Sequence, residues 1–343
     1  MKITTIGLDL AKNVFQVHGA DDLGRPLLAK RLRRGDVLKF FAKLEAPCLV
    51  GVEACGGAHH WAREISKLGH EVRMMPPQYV KPYVKRHKND ATDAEAICEA
   101  VTRPTMRFVP IKTIEQQSVL MLHRTRDLLV RQRTMLVNAL RGQFSELGIV
   151  AATGIRNMPR LVEQIEATSE TSVPALARTV LMIFVKQLED IQKRICNLEA
   201  EICVWHKSNA ASCRLSTIPG IGPLTASAIV ATVADAKQFR SAREFAAWIG
   251  LVPRQNSSGG KERLGGISKK GDAYLRRLLI HGARSVLRWH KRRQGRTGEW
   301  IRAMLNRRPV NVVTVAQANK TARIAWALLA SAETYRAPEL ISE

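Results

Sequence analysis

The chain has 343 residues, 45% hydrophobic and 24% charged, with 54 Lys and Arg against 30 Asp and Glu and a net charge of +24. That length exceeds a single hydrophobic core and predicts two or three domains. The sign imbalance predicts a polyanionic partner held by phosphate neutralisation, and argues against a small neutral substrate. No membrane partner is expected: the basic residues form no single juxtamembrane block, and no apolar run reaches the ~20 residues of a spanning helix. Met1–Lys2 leads straight into a strand-like segment with no signal-peptide core. The six cysteines (48, 55, 98, 196, 203 and 213) form no C-x-x-C pair and no zinc spacing. Free thiols in a reducing, cytoplasmic setting are the expectation, and His59–His60, with no companions at ligand spacing, reads as structural.

In chain order, residues 3–10, 14–19 and 26–32 read as short strands split by turn-prone segments. Residues 35–45 read as a helix with Val37, Leu38, Phe41 and Leu44 on one face. A buried-type strand follows at 48–53, then a helix at about 58–68, a strand at 71–75 and a helix from about 91 to 101. Three antiparallel strands followed by α-β-α-β-α is the order of the ribonuclease-H-like fold. On that scaffold Asp9 ends the first strand, Glu53 ends the fourth, and Asp90 and Asp93 share one face of the last helix. Hard oxygen ligands converging there would hold Mg²⁺ or Mn²⁺.

Taken singly, each acid has an ordinary explanation. Asp90 and Asp93 could cap a helix and complement its dipole, Asp9 could open a turn, and Glu53 could be a solvated strand end. Together with the strand order, a shared metal site is the better reading.

Residues 114–147 read as a long helix, and 151–175, with Gly154, Pro159 and Pro174, as a linker or broken helices. Phe184, Leu188, Ile191, Ile195, Leu198 and Ile202 then recur at 4-3-4-3-4, an a/d heptad seam. An antiparallel hairpin with 114–147 would use that seam as well as a coiled coil between chains would; self-association, as a dimer or tetramer, is preferred. The turn Ile218–Pro219–Gly220–Ile221–Gly222 resembles a helix-hairpin-helix turn, with Gly220 and Gly222 offering backbone N–H groups to a phosphate. An ordinary helix–helix turn would look similar. Helices are expected at about 224–233 and 241–249, a loop at 251–263, and a final apolar helix at 312–335. Between 251 and 310 there are 16 Lys and Arg against 3 Asp and Glu, a local excess of +13, which marks the main nucleic-acid surface. Trp289 and Trp300 lie in it and could stack on bases, although core packing is the commoner fate.

The stretches Ile6–Gly7–Leu8–Asp9–Leu10–Ala11–Lys12, Val52–Glu53–Ala54 and Lys88–Asn89–Asp90–Ala91–Thr92–Asp93–Ala94 resemble the DEDD domain of the insertion-sequence-110 transposase family, in its insertion-sequence-1111 branch. Ile218–Gly222, Phe245–Arg254 and Gly265–Gly271 are similar to that family's C-terminal transposase domain, so the resemblance spans nearly the whole chain. It implies an α/β plus α protein in three parts. These are a RuvC-like domain over 1–150 ending in the long helix, a linker and helical coiled coil over 151–208, and a mainly helical transposase domain over 209–343.

The resemblance further implies site-specific recombination that moves the element itself, on double-stranded DNA of the element ends and target, guided by a structured noncoding RNA. It places a divalent-metal site on Asp9, Glu53, Asp90 and Asp93, and a covalently attached serine nucleophile on Ser258. By itself a Ser-Ser-Gly-Gly tract is more often a flexible linker, and the residues alone do not choose between Ser257 and Ser258. Candidate phosphate contacts around it are Arg254, Lys261, Arg263, Lys269, Lys270, Arg276 and Arg277. The nearest rival is a metal-dependent, Holliday-junction-type endonuclease that activates water with the same acids. A catalytically inactive nucleic-acid-binding regulator is disfavoured by the intact acids. A sugar-kinase/actin fold is remote, since no second phosphate loop is present.

Overall fold

In the computed structural model, which describes residues 2–85, 89–150, 154, 157, 163, 173–290 and 295–336, the first apolar runs become a five-stranded sheet. β1 (Thr5–Asp9), β2 (Val14–Ala20) and β3 (Pro26–Arg33) form an antiparallel meander. β4 (Leu49–Glu53) and β5 (Glu71–Met75) continue the sheet in parallel on the other side of β1. The order is β3-β2-β1-β4-β5, the mixed sheet of a ribonuclease-H-like domain.

Burial explains why β1 and β4 read as unbroken apolar runs: both faces are covered. On one face Ile6, Leu8, Val50 and Val52 pack with Phe15 and Val17 against α1 (Val37–Ala42) and α2 (Ala58–Lys67), where Trp61 meets Phe15 edge-on at 4.9 Å. On the other lies α4 (Asp90–Val101), reached through a short α3 (Pro77–Val80), with Ile97 and Val101 fully buried. The helix expected at 35–45 is shorter, because Arg34–Asp36 forms a 3₁₀ turn.

The chain divides into two compact units, Met1–Thr113 and Ile114–Glu343. Helix α5 (Ile114–Glu146), assigned from sequence to a first domain ending at 150, packs on α6 (Ala175–Ser208) and α8 (Pro223–Thr232) and so belongs to the second unit. The expected linker at 151–175 falls almost wholly outside the described residues.

The heptad seam of α6 has a partner within the chain. Val137, Leu140 and Phe144 of α5 pack with Leu181, Val185 and Leu188 of α6, and Arg126 pairs with Glu199 at 2.6 Å. Arg133 donates to Gln192 at 2.7 Å and Trp205 to Glu115 at 2.8 Å. The partners run in opposite directions along the two helices, so the pair is an antiparallel hairpin. Of the two uses the seam left open, the structure shows the hairpin with 114–147; the preference for self-association rested on chemistry that would use more than one subunit.

Among the described residues, the rest of the second unit is built of helices with one two-stranded exception. α7 (Ala210–Ser216), α8, α9 (Ala242–Ile249), α10 (Ala273–Arg288) and α12 (Val310–Ser331) enclose a core that includes Leu215, Ile229, Phe245, Leu275, Leu279 and Ala322. α11 (Arg296–Leu305) packs beside α12. Between α9 and α10 the expected loop is a two-stranded hairpin, β6 (Pro253–Gln255) and β7 (Leu264–Ile267). Its strands are almost entirely exposed, so they lack the apolar alternation by which a strand is recognised in sequence. Among the described residues no helix is long and apolar enough to cross a membrane.

Candidate active site and nucleic-acid surface

The parallel register of β1 and β4 pairs Leu8 with Val52, so the next residues, Asp9 and Glu53, leave the sheet side by side at its C-terminal edge. α4 brings the other two acids. Its N-cap is Asn89, whose side chain accepts from the Thr92 N–H at 2.9 Å while the Asn89 N–H donates to Thr92 Oγ1 at 3.1 Å. This capping box satisfies the first turn without using either aspartate. Asp90 and Asp93, which could have been explained as caps, are therefore spared that task.

Two strand glycines set how closely α4 approaches. A Cβ on Gly7 would collide with the Ala94 carbonyl oxygen and lie 2.5 Å from the Cys98 nitrogen. One on Gly51 would lie 2.8 Å from Val101 Cβ and 3.0 Å from the Ile97 carbonyl oxygen. The helix backbone thus rests directly on the strands that carry Asp9 and Glu53. Sequence reasoning passed over both glycines, although a lone Gly inside a β-branched strand is a signal for close backbone approach.

Three of the acids bear on the fourth. Burial, then the charges of Asp93, Asp90 and Glu53, push the Asp9 carboxyl from its ordinary 3.8 to about 6, against the opposing pull of the Leu10 N–H. Among the described residues no three His, Cys, Asp or Glu side chains are drawn together tightly enough to grip an ion. The two observations agree, because coulombic coupling reaches well beyond the roughly 2.0–2.6 Å of a metal–oxygen bond. An all-carboxylate set of mutually repelling oxygens suits a hard divalent cation.

The second candidate element is the β6–β7 hairpin. Its tip is Ser258–Gly259–Gly260–Lys261, closed by the Lys261 N–H donating to the Ser258 carbonyl at 3.1 Å. Gly259 and Gly260 have φ of +55° and +75°, the left-handed pair that a tight I′-like turn requires. Ser257 and Ser258 differ in what their hydroxyls do. Ser257 Oγ accepts from the Arg263 N–H and from Gln255 Nε2, both at 3.2 Å, and so ties the two arms together. Ser258 is exposed, and no described group bonds its hydroxyl.

The hairpin's root is clamped. Cβ atoms on Gly250 and Gly271 would collide with the carbonyl oxygens of Lys270 and Trp248 respectively, and Lys269 takes a left-handed φ of 54°. Arg276 Nη1 donates to the Ile249 carbonyl at 2.7 Å and the Lys270 carbonyl at 3.1 Å, fastening the root to the end of α9. Arg277 pairs with Asp127 and lies over the Tyr274 ring. Two of the seven expected phosphate contacts are thus engaged by the protein, while Arg254, Lys261, Arg263, Lys269 and Lys270 are exposed. Gly220, at φ +90°, is used for packing: a Cβ on Gly282 of α10 would collide with its carbonyl oxygen. Gly222 is the N-cap of α8 and faces open space. His59 Nδ1 accepts from the Lys112 N–H at 3.2 Å, a structural role as read.

Comparison with known proteins bears on both elements. A sequence model of DEDD transposases of the IS110 type matches residues 6–149, and one described as "Transposase IS116/IS110/IS902 family" matches residues 212–297. The chain belongs to the IS110 family of transposases. It is 51% identical over 337 residues, covering 98% of this chain and 99% of the relative, to a Pseudomonas aeruginosa protein named "Probable family 20 transposase". It is 43% identical to the transposase for insertion sequence element IS1111A of Coxiella burnetii, with 97% of this chain and 92% of that one covered. The transposase for IS1328 of Yersinia enterocolitica is also 43% identical, over 94% of this chain and 96% of its own. As an IS110-family transposase the protein is an enzyme that cuts and rejoins DNA.

Proposed function

We propose that this transposase is a site-specific recombinase that moves its own element through a serine-linked DNA intermediate. It works with a divalent-metal site on Asp9, Glu53, Asp90 and Asp93 and is guided by an element-encoded RNA. The observation that carries the reading is the Asp9 carboxyl held near 6 by burial and three neighbouring acids. A cation held there would supply Lewis-acid relief of the charge that builds on a reacting phosphate.

The protein's own residues do the rest. Ser258 Oγ attacks phosphorus, an Oγ–P bond forms, and the P–O bond to one sugar breaks; the proton lost by the serine is matched by the one taken up by the leaving oxygen. Rejoining runs the same exchange in reverse with a new sugar hydroxyl. The free Ser258 hydroxyl, beside a Ser257 engaged in the hairpin, supports the choice between them. Exposed Arg254, Lys261, Arg263, Lys269 and Lys270 would hold the flanking phosphates, positioning DNA without reading bases. Sequence choice would then fall to a paired RNA. Exchange between two duplexes breaks several strands, so more than one copy of the chain would take part.

The test is substitution of single acids. Asp9→Asn and Asp90→Asn should each abolish recombination while DNA affinity stays within about twofold, since neither carboxylate would contact phosphate favourably. Full strand transfer by both variants in Mg²⁺ would remove the acids from catalysis.

A further inference from the structure

The serine hairpin has no core of its own. Both strands are almost entirely exposed, so where Ser258 stands is decided by the two helices from which the hairpin springs. On one side Leu251, buried just after α9, has its carbonyl held by Asn319 Nδ2 of α12 at 3.1 Å. The arms are zipped at the root by the Ser268 N–H donating to the Val252 carbonyl at 2.8 Å. On the other side the hairpin runs into Asp272, the N-cap of α10, whose carboxylate accepts from the Tyr274 N–H at 2.8 Å and the Leu275 N–H at 2.9 Å. What fixes the first turn of α10 therefore fixes the second arm.

That turn is fastened to α5 by a chain of hydrogen bonds that has a definite direction. Ser227 of α8, fully buried, donates its Oγ proton to the Pro223 carbonyl at 2.7 Å. Its oxygen must therefore accept from His123 Nε2, 3.1 Å away, so Nε2 carries the imidazole proton. Burial lowers the His123 pKa from 6.5 to about 4, which leaves the ring neutral and Nδ1 bare at pH 7. Nδ1 then accepts from the Tyr274 hydroxyl at 3.0 Å, and Tyr274 Oη accepts in turn from the Arg126 guanidinium. His123, Arg126 and Asp127 lie on one face of α5, and Asp127 takes Arg277 from the next turn of α10.

A buried imidazole is a costly way to join two helices. An apolar pair of similar volume would pack about as well. It would also let α10 slide or turn on α5, whereas directional bonds of about 3 Å admit one placement. Resting on the serine reading above, we infer that His123 is a positioning residue for Ser258: acting through Tyr274, it holds the first turn of α10 so that the hairpin presents the serine hydroxyl in one place. Neither His123 nor Tyr274 takes part in the bond exchange itself.

Three variants of the full-length protein separate the parts of this strut. Tyr274→Phe removes the hydroxyl. His123→Gln carries its amide to the place of Nε2 and leaves Tyr274 without an acceptor, whereas His123→Asn sets an amide oxygen where Nδ1 stands. Hairpin order would be read without any chemistry, from the rate of trypsin cleavage of the native protein at exposed Lys261 and Arg263, with exposed Arg307 in the turn before α12 as the control. Tyr274→Phe and His123→Gln should each speed hairpin cleavage by about fivefold, the opening expected from one lost hydrogen bond, and leave Arg307 within about twofold. Combining them should add little, because both cut the same link. His123→Asn should cleave at close to the wild-type rate. In single-turnover reactions on element-junction DNA with the matching RNA, Tyr274→Phe and His123→Gln should slow formation of the serine adduct by about tenfold or more, with DNA affinity within about twofold. Hairpin cleavage unchanged in both variants, an equal acceleration at Arg307, or a His123→Asn protein as impaired as His123→Gln would overturn the strut. Variants that respond to trypsin as expected, in a protein that forms no serine adduct, would support the strut and overturn the serine reading.

Discussion

Asp9 ionises near 3.8 in an unfolded chain and near 6 in the fold. Between those values the folded state holds the proton more tightly, so the contribution of this residue to stability falls as pH rises from about 4 to 6. Above that, ionised Asp9 destabilises the fold. The shift corresponds to about 3 kcal/mol, of which solvent screening of a half-exposed carboxylate leaves about 1. Asp9→Asn, in EDTA at pH 7, should therefore raise the melting temperature of the first unit by about 4 °C. Added Mg²⁺ should stabilise the wild type and leave Asp9→Asn unmoved. A melting temperature lowered by Asp9→Asn, or Mg²⁺ stabilisation that survives it, would mean that Asp9 is not under strain from its neighbours. A carboxyl raised by burial and by three neighbouring acids is what the proposed metal site requires of Asp9.

At the scale of elements, the approach of α4 to the sheet sets where Asp90 and Asp93 stand. Gly7→Ala would drive a methyl into the Ala94 carbonyl and the Cys98 nitrogen, both backbone atoms that cannot swing away. The expected loss is about 2–3 kcal/mol, read as a lower midpoint in urea. In surviving folded protein, Mg²⁺-induced stabilisation should fall as well, because the helix carrying two of the acids is pushed off. An alanine variant with wild-type midpoint and wild-type Mg²⁺ response would show that the contact is slack.

Much of this first unit was legible. The strands, helix α4 and the positions of all four acids emerge from the alternation of apolar runs with turn residues. What was hidden depends on approach rather than pattern. Gly7 and Gly51 matter through the helix that lies on them, and Asn89 took the cap that Asp90 and Asp93 could have been explained by. In the second unit the heptad seam was plain, but seven-residue spacing says nothing of which helix fills it; Arg126–Glu199 and Arg133–Gln192 do. The hairpin stayed hidden because both its faces are wet. Arg276 and Arg277 read as phosphate ligands from charge alone, whereas the Ile249 carbonyl and Asp127 that engage them are far away in sequence.

Across the whole molecule, the two units should answer acid in opposite ways. In the second, His123 is buried with Nδ1 at 3.0 Å from Tyr274 Oη and Nε2 at 3.1 Å from Ser227 Oγ. Burial, then the charge of Arg126, lowers its pKa from 6.5 to about 4. The folded state binds this proton less tightly than the unfolded one between pH 4 and 6.5, so stability is lost as pH falls through that window, by about 2 kcal/mol at pH 5. Hydrogen exchange, corrected for intrinsic rates, should show protection falling in α5 and α8 between pH 7 and 5 while it holds or rises at β1 and β4. A parallel loss in both places would contradict these two assignments.

The central claim is that the acids serve a serine rather than a water molecule, and trapping the reaction tests it most directly. The transposase would be incubated in Mg²⁺ with DNA carrying its element junction and the matching RNA, then denatured, digested and mapped by mass spectrometry. The account predicts a nucleotide ester on Ser258 that Ser258→Ala abolishes together with recombination, while Ser257→Ala stays mild. DNA cut at wild-type rate by Ser258→Ala, with no adduct on either serine, would contradict the account and leave a water-activating nuclease in its place.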